Sequence, residues 1–117
     1  MVPEEIKNFL AETARVLRPG GMTLATFCLL NERTLPLVTA MKSALKLPYQ
    51  FGECRVRSIA DPTRFIGHPE SLIRRLYSEA GLAIVGDIRY GRWALPPNEV
   101  APMREQFFSQ DVILATR

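Results

Sequence analysis

The sequence predicts an α/β domain built on a mostly parallel sheet with flanking helices, and three observations carry that expectation. An amphipathic opening stretch is stopped by Pro19-Gly20-Gly21 and followed at once by Met22–Leu30, a strand apolar almost throughout. A second amphipathic stretch, residues 69–80, ends at Gly81 and runs into an alternating segment over 82–90. The chain then closes on Asp111-Val112-Ile113-Leu114-Ala115-Thr116-Arg117, a third strand pattern. At 117 residues this is one domain, 1–117, with an irregular insert at about 49–68.

Each element has a local reason. Pro3 suits a first helical turn and Glu4 and Glu5 favour its positive end, while Ile6, Phe9, Leu10, Ala14 and Leu17 recur at helical spacing. Met22–Leu30 offers no polar face, so it reads as an interior strand covered on both sides. Asn31-Glu32-Arg33-Thr34 is a turn. Leu35, Val38, Met41 and Leu45 then share a helical face over about 35–47, with Pro48 as the stop. In the insert, Cys54-Arg55-Val56-Arg57 alternates as a strand or hairpin would, and the whole segment reads as lying over one end of the sheet. Leu72, Ile73, Leu76 and Tyr77 make the buried stripe of the 69–80 helix. Between 82 and 90, Leu82, Ile84, Gly86, Ile88 and Tyr90 alternate with Ala83, Val85, Asp87 and Arg89 as in a strand near the sheet edge. A short helix is expected from Asn98 through Met103 to Phe107.

Composition bounds the function. Apolar residues make up 47% and charged ones 23%, and the net charge of +3 is spread without a run of like charges. Nucleic-acid binding calls for a basic cluster interleaved with exposed aromatics, and Arg55-Val56-Arg57 and Arg74-Arg75 are too short for one. No window approaches the ~20 apolar residues of a membrane span. The two cysteines, Cys28 and Cys54, make neither a disulfide framework nor a Cys-x-x-Cys pair, which fits a reducing, cytoplasmic setting.

Arg15-Val16-Leu17-Arg18-Pro19-Gly20-Gly21 with its apolar strand, Glu79-Ala80-Gly81-Leu82 at the later helix end, and Gln110-Asp111-Val112 at the entry to the last strand together resemble the C-terminal half of the class I S-adenosylmethionine-dependent methyltransferases. The resemblance implies a partial Rossmann-like sheet. Residues 22–30 correspond to the family's fifth strand, 82–90 to its sixth and 112–116 to its seventh, the last antiparallel between the other two. It implies a methyl acceptor, small-molecule or macromolecular, as the partner, and S-adenosylmethionine as the cofactor of the parent family. The half of the fold that holds that cofactor has no counterpart here: no Gly-x-Gly occurs and no strand precedes the first helix. The chain is therefore expected to be a fragment, with Met1 an internal methionine or alternative start, that binds neither cofactor nor substrate well alone. Two other readings stand beside it: an interaction module that self-associates through an open strand edge at Met22–Leu30, and a small-ligand binding domain.

Candidate site residues follow from the rule that open α/β sheets bind ligands beyond the carboxyl ends of their strands. Phe27 and Asn31 stand at the end of the first strand, and Tyr90 and Trp93 just after the second. His68, the only histidine, enters the 69–80 helix, and Phe65 lies in the insert. All six are candidate substrate contacts. For Trp93 the competing reading is a core residue beside Met103 and Phe107. No metal set and no catalytic residue is expected: a single histidine makes no two-histidine centre, and Cys54 has no neighbouring base in the sequence.

Overall fold

The computed structural model describes residues 1–96 and 110–117, so the helix expected over 98–107 lies outside the described residues. The architecture is mixed α/β: an open six-stranded sheet with flanking helices, in the order α1 (Pro3–Val16), β1 (Met22–Leu30), α2 (Thr34–Thr39), β2 (Tyr49–Phe51), β3 (Cys54–Val56), β4 (Ile66–Pro69), α3 (Glu70–Glu79), β5 (Ala83–Ile84) and β6 (Asp111–Thr116). The sheet order is β2-β3-β4-β1-β6-β5. β6 runs antiparallel to both β1 and β5, and β4 runs parallel to β1.

α1 starts where Val2 donates its backbone N–H to Glu5 at 3.0 Å. It ends at Val16, and just beyond it Gly20 adopts φ +82° and donates its N–H to the carbonyl of Arg117, tying the turn after the helix to the end of β6. Ile6 and Leu10 of α1 join Leu72, Ile73, Leu76 and Tyr77 of α3 over one face of the sheet, against Phe27, Leu29, Ile113 and Ala115. Phe9, expected in the stripe, is instead 43% exposed. On the other face Val38, Leu45, Leu47 and Trp93 cover Cys28 and Leu30.

That second cover is partial, which corrects the expectation of a first strand buried on both sides. Alternation puts Met22, Leu24 and Thr26 on the same face as Cys28 and Leu30, but only the last two lie under the cover; Met22 is 52% and Leu24 63% exposed. Leu114 and Val112, the cross-strand neighbours of Leu24 and Thr26, continue the open face.

The insert is a second correction. It extends the sheet instead of lying over its end: β2 and β3 form a hairpin around Gly52 (φ +61°), β3 turns back into β4, and β4 pairs with β1 through Cys28↔Gly67, Leu29↔His68 and Leu30↔Pro69. The strand edge expected to be open is taken along these three residues. The helix expected over 35–47 stops at Thr39 because the chain finds tertiary partners. Met41 takes φ +60°, and Ala44 and Leu45 donate their N–H groups to the carbonyls of Leu95 and Trp93. The strand expected over 82–90 is interrupted at Gly86 (φ +65°) and regains β6 only at the Arg89↔Val112 bridge.

Candidate functional site

β1 and β4 are adjacent and parallel, so their carboxyl ends open on the same side, and there the chain leaves in different directions: β1 into α2 and β4 into α3. Such a divergence is where open sheets form crevices. Asn31 ends β1 in a tight turn, its Oδ1 accepting from the N–H groups of Arg33 (2.9 Å) and Thr34 (3.0 Å), while the Thr34 hydroxyl donates to the Leu29 carbonyl at 2.7 Å. The Asn31 amide is thereby aimed across the crevice at Glu70, the first residue of α3, and Nδ2 donates to Oε1 at 3.2 Å.

Glu70 gathers the site. Besides Asn31 it accepts from the Tyr90 hydroxyl at 2.8 Å and from Arg74 Nε at 3.0 Å. Burial opposes its ionisation, but donors from Tyr90, Asn31 and Arg74 outweigh it, and the carboxyl is held below its usual range. Burial and the Glu70 hydrogen bond push the Tyr90 phenol up, so it stays a proton donor at neutral pH. An open cleft of about 580 Å³ lies over this node, lined by Leu30, Asn31, Glu32, Arg33, Ser71 and Tyr90 with Glu70.

Behind the cleft, Asp111 fixes the loop that carries Tyr90. Its Oδ1 accepts from the Gly91 N–H at 2.7 Å. Its Oδ2 accepts from the Leu29 N–H at 2.8 Å and from Trp93 Nε1 at 3.0 Å. Leu29 lies two residues beyond Phe27, the last to pair with β6, so the carboxylate takes a ladder N–H that β6 does not reach. Burial raises the Asp111 pKa against the pull of these three donors.

The six candidate residues separate into two places and one core position. Asn31 and Tyr90 meet on Glu70 at the cleft. Phe27 and His68 face the α1/α3 side instead, their rings in edge contact at 6.3 Å, and Phe27 touches Tyr77 in the same way. These two, with Phe65, line a separate cavity of about 180 Å³ bounded by Thr26, Ile66 and Gln110. Phe27 therefore does not share the Asn31 crevice, and His68 is a strand residue 2% exposed, not the entry to the helix. Trp93 is fully buried, as its core reading has it; Met103 and Phe107 lie outside the described residues.

Cys54 does have a neighbouring base, which corrects the reading from sequence: His68 Nδ1 lies 3.2 Å from its Sγ, because β3 and β4 place the two residues opposite each other. The pair is neutral. Burial pushes the thiol up to about 11 and the imidazole down to about 4, so neither is charged near pH 7. Among the described residues no group of three or more His, Cys, Asp or Glu side chains could hold a metal ion, and no helix is long and apolar enough to cross a membrane.

Glu70 is the functional candidate that sequence reasoning missed. Its place after Pro69 marks it as a helix-start acid, and that role hides the second one; the only available signal was its position at a strand-to-helix junction. No family model matches the chain, and no solved structure matches it significantly.

Proposed function

We propose that this chain is the acceptor-side portion of a class I S-adenosylmethionine-dependent methyltransferase fold, forming the wall that positions a methyl acceptor. The observation that carries the reading is strand order. The strand after the Arg18-Pro19-Gly20-Gly21 stop, the strand after Gly81 and the last strand stand as β1-β6-β5, the chain's final strand antiparallel between the other two. That arrangement is the one implied by the resemblance, and it requires a crossover that local pattern alone does not dictate. In this reading Asn31, Glu70 and Tyr90 orient the acceptor. Methyl transfer asks for alignment of nucleophile and methyl group more than for covalent help, so a rigid hydrogen-bonded wall is a sufficient contribution.

The described residues do not fit the cofactor itself. β1 ends in the Asn31 turn and β4 runs through Pro69 directly into α3, so neither crevice strand is followed by a glycine turn. Glu70, the carboxylate that Asn31 and Tyr90 meet on, is already engaged by three donors. Calorimetric titration with S-adenosylhomocysteine is expected to give no heat at micromolar protein; one-to-one binding would overturn the assignment of this chain to the acceptor side alone. The DNA upstream of the Met1 codon tests the family reading separately. An in-frame strand and glycine-rich turn there support it, and an in-frame stop directly upstream contradicts it.

A second reading, a self-associating module, is favoured by one observation, the exposed apolar face of Met22 and Leu24. Light scattering separates the two: a cofactor-independent stoichiometric oligomer supports the module, and a monomer at high concentration removes it.

A further inference from the structure

The loop between β3 and β4 carries a feature that the acceptor cleft does not use. Val56 and Ile66 are the last residues to pair, and one step further the Arg57 N–H donates to the Phe65 carbonyl at 3.1 Å, closing the neck of a hairpin loop over 57–65. That closure sets Arg57 directly across from Phe65. The Arg57 guanidinium carbon lies 5.1 Å from the Phe65 ring centroid, and the Arg64 guanidinium carbon lies 5.7 Å from the same centroid. Two cations thus share one aromatic ring.

Neither guanidinium has an ion-pair partner among the described residues. Arg15 and Arg74 each have a carboxylate, and Arg55 spends its donors on the carbonyls of Leu47 and Pro48 and on Gln50. Among the described residues Arg57 and Arg64 have the Phe65 ring and no carboxylate. Between them opens a cavity of about 320 Å³ lined by Arg57, Ser58, Asp61, Arg64 and Phe65. Asp61, the acid at its rim, accepts among the described residues from the Thr63 hydroxyl at 3.4 Å and is not within ion-pair distance of either arginine. Both cations line the one cavity, and an anion taken up there meets them without displacing a carboxylate partner. The formal charge of the lining is +1, and the available donors are two planar forks and the Ser58 hydroxyl. That set suits an oxyanion with more than two accepting oxygens, a phosphate group, which can meet both forks and the hydroxyl at once.

We propose that the β3–β4 loop is a binding site for a phosphate group, with Arg57 and Arg64 as its two charge-assisted donors and Phe65 as the platform that holds them. The proposal is independent of the methyltransferase reading.

The test is titration of the isotope-labelled chain with inorganic phosphate at constant ionic strength, following the Nε–H resonances of the arginines by NMR. A saturable, one-to-one change at Arg57 and Arg64, with Arg55 unmoved, is expected. Arg57→Gln and Arg64→Gln should each weaken it about tenfold, the loss of one charge-assisted bond. Arg57→Lys should retain part of the affinity, and Asp61→Asn should tighten binding. Both arginines lie on an exposed loop, so the variants keep the fold, and an unchanged amide spectrum verifies this. Non-saturating shifts spread over all arginines, an equal response to chloride, or acetate binding as strongly as phosphate would each overturn the proposal.

Discussion

The carboxylate of Asp111 accepts the indole N–H of Trp93 at 3.0 Å, and the same oxygen accepts the backbone N–H of Leu29 at 2.8 Å. One buried oxygen therefore joins β6, the carboxyl end of β1 and the loop that leads from Tyr90. With the Gly91 N–H on its other oxygen, Asp111 on β6 serves three donors from two other segments, β1 and the loop after Tyr90. Asp111→Ala leaves all three without a partner. A buried donor left unsatisfied costs ~1–3 kcal/mol, so the loss should exceed about 3 kcal/mol. Trp93→Phe keeps most of the volume and removes one donor, and should cost less. Chemical denaturation checks both, and equal losses would mean that ring packing, not the hydrogen bond, dominates.

Tyr77 presents the reverse case. Its side chain is buried in the core and edge-on to Phe27, but its hydroxyl has no hydrogen-bond partner among the described residues, and burial pushes the phenol up to about 12. Tyr77→Phe keeps the ring and removes the orphaned group. It is expected to be neutral or to raise stability by about 1 kcal/mol, read from the denaturation midpoint. A clear loss of stability would show that the hydroxyl has a partner after all.

What could be read beforehand follows physical range. The stripes of α1 and α3 and the strands β1 and β6 are set by patterns within one element, so Ile6, Leu10, Leu72, Ile73, Leu76 and Tyr77 were legible from spacing. β4 was not. It has four residues, Ile66-Gly67-His68-Pro69, with no strand composition, and exists because β1 and β3 pair with it on either side. The early end of α2 has the same origin, since Ala44 and Leu45 pair with residues some fifty positions later. In the candidate site, Asn31 and Tyr90 were reachable from the rule about strand ends. Their common partner Glu70 was masked by its ordinary place at a helix start, and Phe27 turned inward because the face on which a strand residue sits depends on register.

Gly67 gives a packing prediction at that unforeseen strand. A Cβ built there would meet Leu47 Cδ1 at 2.9 Å and Leu30 Cδ2 at 3.2 Å, and both leucines are buried. Gly67→Ala must move side chains on the α2 side of the sheet. A cost of about 1–3 kcal/mol is expected from overpacking. A variant as stable as the parent would mean that Leu47 can swing away, and that the Leu30–Leu47 cover is looser than its burial implies.

The open face of β1 predicts a surface behaviour. Leu24 is 63% exposed and faces Leu114 across the β1–β6 pair, so Leu24→Lys removes apolar surface without opening a cavity. Stability should change by less than about 0.5 kcal/mol, while binding of an apolar dye and any self-association fall. Light scattering before and after the substitution reads the effect. Unchanged association would move the contact elsewhere, to the β2 or β5 edge.

The Cys54–His68 pair sets a dependence on pH. Burial first, and the nearby N-terminal ammonium second, push His68 from 6.5 down to about 4. Between those values the unfolded chain takes up a proton that the folded chain refuses, so the unfolded state binds more protons and stability falls as pH falls. The full loss across the window is about 3 kcal/mol, complete near pH 4. Asp111 acts with the opposite sign. Its raised carboxyl makes the folded state the better proton binder above 3.8, so part of the His68 loss is offset at the acid end. Urea denaturation at several pH values separates them: His68→Gln should abolish the loss between pH 6.5 and 5, where Asp111 contributes least. A parent chain equally stable at pH 6.5 and 5 would show that the imidazole is hydrated in solution, and that the β3–β4 pairing which buries it opens readily.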